Sequence, residues 1–270
     1  LILQIFTVDL SILKYMLQFF IIKNHRLGAL DGDVIHAYVG DMFKQPRPVD
    51  VWYNIKDVEI LIPCKPGKML ALWNNFHSRA EHEGWDIPPE PLYFVKTPNS
   101  FNAHDKPIVR PPSYHGPVFF EGELGVVIGK TTAHISESDA AHHIFGYTCI
   151  NDVTAKEILN RDPSFQQWTR AKGFDSFGAF GPVIATDVDV DSLVIQSRLD
   201  GKLLQEYPVT DMIFHPHTLI SLISQDMTLY PGDVIACGTG LNAKAMEDGQ
   251  VIEISINGIG TLKNTMISAS

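Results

Sequence analysis

Residues 116–130 read GPVFFEGELGVVIGK. The apolar run punctuated by glycine is read as a β-strand, in which alternate side chains leave opposite faces. Glu121 and Glu123, at i and i+2, therefore project the same way. Two ionised carboxylates side by side repel each other. A half-buried strand tolerates them if one takes a proton or if a cation sits between them. A hard divalent cation such as Mg²⁺ suits oxygen donors and resolves that conflict. A solvated face carrying two ordinary surface acids is the alternative, and the flanking FF and VVIG weigh against it.

Downstream, residues 146–159 read GYTCINDVTAKEIL, an apolar strand ending at Asn151-Asp152 just before a helix. Asp152 at that corner can supply a third oxygen over the rim of the sheet. It can equally cap the helix, as can the capping-box pair Thr154 and Glu157. Lys172 is a cation set among aromatics and glycines in WTRAKGFDSFGAFGP, residues 168–182, two residues after Arg170. The CGTG loop at 237–240 offers backbone N–H groups at Gly238 and the Thr239 hydroxyl. Lysine or loop can hold a carboxylate or an enolate oxygen, against the plain readings of a surface charge and a turn. His77 and Glu81, four apart in a short polar helical stretch at 74–84, share a helix face and can form an acid–base dyad. His82 and Glu83 offer competing pairs, and an ordinary surface helix is the alternative.

The whole chain bounds these readings. Its 270 residues are 45% hydrophobic, with a mean hydropathy of +0.02, enough for a substantial core and unlike a disordered chain. Lys and Arg total 21 against 31 Asp and Glu, a formal charge of -10 that excludes a nucleic-acid partner. Cys64, Cys149 and Cys237 form no CxxC pair, which argues against a disulfide framework or a thiolate zinc site and for a reducing cytoplasm. The apolar residues 1–22 contain Asp9 and Lys14, each costing about 2.5–3.5 kcal/mol near a bilayer centre, so neither a membrane span nor a signal peptide is expected. Met16 opens an alternating strand pattern with a turn at Asp31-Gly32, and residues 1–15 are read as an upstream or added segment. Residues 16–64 form a small β-rich N-terminal domain, with Pro63 and Pro66 marking its boundary, and residues 65–270 form the main domain. Helices are expected at 136–145, 154–161 and 216–225. Strands are not regularly interleaved with them, which gives an α+β, mostly β fold rather than a doubly wound parallel sheet.

Six blocks, FFEGELGVVIGK, GYTCINDVTAKE, RAKGFDSFGAFGP, DMIFHPHTLISLIS, LYPGDVIACGTG and INGIGTLKN, occur in an order that resembles the fumarylacetoacetate hydrolase family over roughly residues 65–266. The resemblance implies a mixed β-roll or barrel core with few helices, usually as a homodimer, and a variable N-terminal leader domain. It also implies Mg²⁺, Mn²⁺ or Ca²⁺ held by Glu121, Glu123 and Asp152. Lys172 matches the family's lysine for a substrate carboxylate or enolate, and Gly238 and Thr239 match its substrate-contacting loop. His77 and Glu81 are assigned to the lid pair that activates water. The helix after the metal aspartate has Lys156 and Leu159 where the family usually has Arg and Gln. Lys156 is thus a substrate-binding candidate, and Gln166 or Gln167 stands in for the lost donor. The implied activity is hydrolytic cleavage of a C–C bond in a 2,4-dioxo acid of acylpyruvate or fumarylpyruvate type, through a metal-stabilised enolate. The alternatives are an isomerase or decarboxylase of a 2-oxo acid such as hydroxymuconate or oxaloacetate, and a non-catalytic metal- or ligand-binding protein. A histidine-ligated oxygenase, prompted by His215-Pro216-His217, ranks low.

Overall fold

The computed structural model describes residues 18–22 and 26–269. Met16 and the segment before it lie outside the described residues. The quoted stretch becomes the middle of an eleven-stranded curled sheet. Its core strand Gly122–Ile128 has all seven residues buried, because neighbours pair on both edges and a second sheet covers a face. It is a fully buried strand rather than a half-buried one. Antiparallel partners flank it: Ile144–Asp152 on one edge and Val234–Ala236 on the other. Beyond Val234–Ala236 come Met69–Trp73, paired in parallel, and the edge strand Leu92–Lys96. On the other side Ile144–Asp152 pairs with Gly178–Ala185.

Gly178–Ala185 also receives Gln18–Ile22, so that an antiparallel meander of Arg26–Asp31, Val34–Val39 and Arg47–Asn54 prolongs the same sheet. The first of its hairpins turns at Gly32 and Asp33, one residue later than the sequence reading placed it, and Gly32 takes the left-handed φ of +58° that the turn requires. The five-stranded second sheet runs Lys202–Pro208, Val194–Leu199, Val251–Ile256, Gly260–Ser268 and Ile108–Arg110. Its close approach explains Gly122: a Cβ there would lie 2.2 Å from Ser197 Oγ.

Helices are few, as expected. The α-helices are α1 (His77–Glu83), α2 (Lys156–Leu159), α3 (Trp168–Lys172) and α4 (Pro216–Asp226) among the described residues. Gly84 ends α1 at φ +69° and returns its N–H to the last turn. Two expected helices are shorter than the sequence suggested. Residues 136–145 hold a 3₁₀ stretch, Glu137–His143, because Ile144 and Phe145 are taken by the strand Ile144–Asp152. Residues 154–161 hold one α turn, since Thr154 and Ala155 pair with Val118–Phe119, and Pro163 disfavours helix at Asp162. The three cysteines are buried and free. No helix among the described residues is long and apolar enough to cross a membrane.

Candidate active site

Glu121, Glu123 and Asp152 converge. One carboxylate oxygen from each lies within 4.8 Å of the other two. Antiparallel pairing produces this: Gly122 sits opposite Asn151 and Glu123 opposite Ile150, which sets the end of one strand beside the end of the other. Backbone and amide bonds lock the corner, since the Asp152 N–H donates to the Glu121 carbonyl at 2.8 Å and the Glu121 N–H to Asn151 Oδ1 at 3.0 Å. Asp152 is not a helix cap; α2 starts after Ala155 with no side-chain cap, and the Thr154–Glu157 capping box does not form. Thr154 instead donates to the Asp152 carbonyl at 3.0 Å and to Glu121 Oε2 at 3.1 Å.

Two buried lysines compensate part of this charge. Lys172, at the end of α3, donates to Glu121 Oε2 and, at 2.5 Å, to Asp152 Oδ2. Lys96, fully buried at the end of the edge strand, donates to Asp152 Oδ1 at 2.5 Å and to the Lys172 carbonyl at 2.7 Å. Burial pushes the Asp152 carboxyl up, but Lys172 and Lys96 outweigh it and hold it below its ordinary value. Burial lowers the Lys96 ammonium against the pull of Asp152, whereas the carboxylates overcome burial at Lys172 and raise it. Glu123 has neither lysine. It is 1% exposed, accepts the Gly238 N–H at 2.8 Å, and makes no ion pair with Lys or Arg among the described residues. Burial first, and the Asp152 and Glu121 charges with it, raise the Glu123 carboxyl well above its usual range.

This donor set fits a hard divalent cation. It offers only carboxylate oxygens, close together and in low dielectric, with one carboxylate lacking a counter-charge.

The cluster opens into a cleft of about 310 Å³, whose wall includes Arg79, Glu83, Lys156, Lys172 and Thr239. Thr239 is buried: its hydroxyl accepts from Gln205 Nε2 at 3.0 Å, and its carbonyl accepts from Arg79 Nη1 at 3.1 Å. Gly238, at φ +89°, reaches the cluster through Glu123. Lys156 is exposed on the cleft wall with Nζ 5.3 Å over the Phe119 ring. Arg79 also lies 3.9 Å from Glu121 Oε1. His77 and Glu81 are exposed and do not line the cleft; the α1 residues that do are Arg79 and Glu83, which keep the same i,i+4 spacing. His215 pairs with Asp191 at 3.0 Å, and among the described residues the only metal-competent group of three is the carboxylate cluster, which removes the basis for a histidine-ligated site.

Lys96 and Arg79 were not singled out from sequence, Glu83 was named only as a competing partner on the short helix, and Thr154 only as a capping residue. Lys96 closes LYFVK like a solvent-facing strand end, and no local pattern distinguishes it. For Arg79 a signal existed: it lies one helical turn from Glu83 and Phe76.

The model of the family described as fumarylacetoacetate (FAA) hydrolase, C-terminal, matches residues 68–267. A protein of unassigned function from Archaeoglobus fulgidus is 41% identical over 78% of this chain and 82% of its own. Oxaloacetate tautomerase YisK of Bacillus subtilis is 34% identical over 78% of this chain and 74% of its own. Among solved structures, 5-carboxymethyl-2-hydroxymuconate delta-isomerase from Mycobacterium smegmatis superposes with a TM-score of 0.84 at 30% identity, covering 94% of this chain and 100% of that one.

Proposed function

This chain belongs to the fumarylacetoacetate hydrolase family, and on that premise we propose that it is a divalent-metal-dependent enzyme that enolises a small 2-oxo acid, with tautomerisation or decarboxylation as the outcome. Glu121, Glu123 and Asp152 would hold the ion, Mg²⁺ or Mn²⁺ by the hardness of the donors. When bound, it supplies Lewis-acid polarisation of the 2-oxo carbonyl.

The chain's own groups supply the rest. Lys172 stays protonated beside its carboxylates and acts as a fixed positive charge rather than a base, as does Arg79, whose guanidinium does not deprotonate. Lys156 and Thr239 orient the substrate carboxylate, and the Gly238 N–H fixes Glu123. Glu83 is the cleft carboxylate outside the cluster and takes the proton from C3.

The observation that carries this reading is the residue α1 turns to the cleft. It is Arg79, a permanent cation, and no histidine lines the cleft among the described residues. Enolisation needs one base at C3, which Glu83 supplies, and a cation for the developing enolate charge, which Arg79 supplies, whereas the His77–Glu81 pair assigned to water activation does not line the cleft. A tautomerase relative, 34% identical, supports the same reading. A second reading, hydrolytic cleavage of an acylpyruvate with His77 and Glu81 activating water, draws on their shared face of a helix that already borders the cleft, and requires that face to turn inward.

The test is a panel of oxaloacetate, acylpyruvates and fumarylpyruvate with Mg²⁺ or Mn²⁺, following C3 hydrogen exchange, CO₂ release and C–C cleavage separately. Exchange without cleavage is expected, and cleavage abolished by His77→Ala would establish the hydrolase instead. No exchange with any of these acids would remove the enolisation reading. The homodimer and cytoplasmic location expected from sequence remain part of the proposal, with light scattering as the check on the first.

A further inference from the structure

We infer that the substrate carries a planar apolar group, an aromatic ring on C3 of the 2-oxo acid, seated against Trp73, Trp85, Phe94 and Trp168. The inference rests on the 2-oxo acid reading above, in its tautomerisation form, since loss of CO₂ would need a second carboxylate on C3, and it adds the chemistry of the substrate's far end.

Three of the chain's four tryptophans meet at this cleft. They come from separate elements. Trp73 ends the strand Met69–Trp73, Phe94 lies on the paired edge strand, Trp85 follows the Gly84 cap of α1, and Trp168 opens α3. The Trp73 and Trp85 ring centroids are 4.8 Å apart, Trp73 and Trp168 6.1 Å, and Phe94 stacks on Trp168 at 5.1 Å with 19° between planes. None of the four rings is fully buried, and Trp73 also borders two adjoining recesses, one beside Phe94 and Trp168 and the other beside Trp85. Four large ring surfaces left partly open around a reaction centre are unfavourable in water, and a planar apolar ligand removes that cost by stacking.

Charge argues against a second carboxylate at this end. Arg79, Lys156 and Lys172 are the cations of the cleft wall among the described residues. Lys172 is bound to Glu121 and Asp152, and Arg79 to the Thr239 carbonyl beside Glu121. Lys156 has no carboxylate within ion-pair distance among the described residues, so one ammonium is free to match the single carboxylate of the 2-oxo acid head. A distal carboxylate would face the negative π surfaces of the rings, with Glu83 on the same wall. The aromatic wall also begins at the charged end: Lys172 Nζ lies 5.1 Å over the Phe94 ring and the Arg79 guanidinium 5.5 Å over Trp85. That places the ring next to the reacting carbon rather than at the end of a long tail.

Calorimetric titration of the Mg²⁺-loaded protein with phenylpyruvate, pyruvate and oxaloacetate tests this. Phenylpyruvate should bind about tenfold more tightly than pyruvate, the upper range of one aromatic pairing, and more tightly than oxaloacetate. Trp168→Ala and Trp85→Ala should each reduce the phenylpyruvate-to-pyruvate selectivity several-fold, and Trp168→Phe should restore most of it. If a variant does not fold, the ranking in the unmodified protein decides alone. Binding of pyruvate or oxaloacetate with no preference for phenylpyruvate would overturn this inference and leave the 2-oxo acid reading intact. Failure of all three acids to bind would overturn both.

Discussion

Replacing Glu123 by Gln separates the two consequences of burying a carboxylate without a counter-charge. Glutamine keeps the shape and can still accept the Gly238 N–H, but it carries no charge. Because burial raises the Glu123 carboxyl, with Asp152 and Glu121 adding to the shift, the folded metal-free protein binds a proton there more readily than the unfolded chain does. Its contribution to metal-free stability is therefore absent below the ordinary value of 4.5, becomes unfavourable as pH rises through that value, and levels off above the raised folded value. Each pKa unit of difference costs about 1.4 kcal/mol at neutral pH. Glu123→Gln should accordingly leave the metal-free protein at least as stable as the parent at pH 7, with a flatter pH profile between 4.5 and 7. Divalent cation should do the reverse. At 100-fold excess over its dissociation constant it adds ~2.7 kcal/mol to the parent, or roughly 5–10 °C in melting temperature for a chain of this size. In the variant the gain should vanish. Scanning calorimetry in chelator and then in excess Mg²⁺ or Mn²⁺ reads both effects. A variant that gains as much from metal as the parent would refute Glu123 as a ligand, and a strongly destabilised metal-free variant would refute the raised carboxyl.

Other substitutions probe the surrounding groups. Lys96→Met removes the cation from Asp152 Oδ1 while filling the same buried space; it should cost about 3 kcal/mol, because a charge is left partly unpaired, and should lower the melting temperature by roughly 6–12 °C. An unchanged melting temperature would mean that Lys172 alone compensates Asp152. Gly238→Ala forces a side chain into φ +89° with a Cβ 3.3 Å from Asn75 Cβ, so a loss of about 1–3 kcal/mol and weaker metal binding are expected by calorimetry. Metal titration at pH 5 and pH 7 should give weaker binding and greater proton release at the lower pH, since the raised Glu123 carboxyl must be deprotonated to serve as a ligand. Glu83→Gln should slow C3 hydrogen exchange of a 2-oxo acid by about 10²–10⁴-fold with little change in metal affinity. Exchange at the parent rate would remove Glu83 as the base.

Much of the architecture could be read along the chain. A glycine-punctuated apolar run with acids at i and i+2, and a second apolar run ending in Asn151-Asp152, identify two strands and the acids at their ends. Their convergence needed the antiparallel register that sets Gly122 opposite Asn151. The short polar stretch at 74–84 does contain a helix, which runs His77–Glu83 and so starts three residues later than expected.

The side of that helix facing the chemistry could not be read. His77 with Glu81 and Arg79 with Glu83 have identical spacing, so a 3.6-residue period groups each pair without ranking them. Burial of Phe76 and Ala80 in the core sets the rotation and leaves Arg79 and Glu83 on the cleft. Lys96 gave still less warning. A lysine at the end of a strand normally reaches water, and only the pairing of its strand with Met69–Trp73 carries it to a closed position behind Asp152. The sequence by itself determined which segments extend, where they stop and which acids they carry, because those follow from local periodicity. Which charges compensate those acids, and which residues border the cleft, were decided by tertiary structure, because the interactions join residues 20 to 56 positions apart that only sheet pairing and helix rotation bring together.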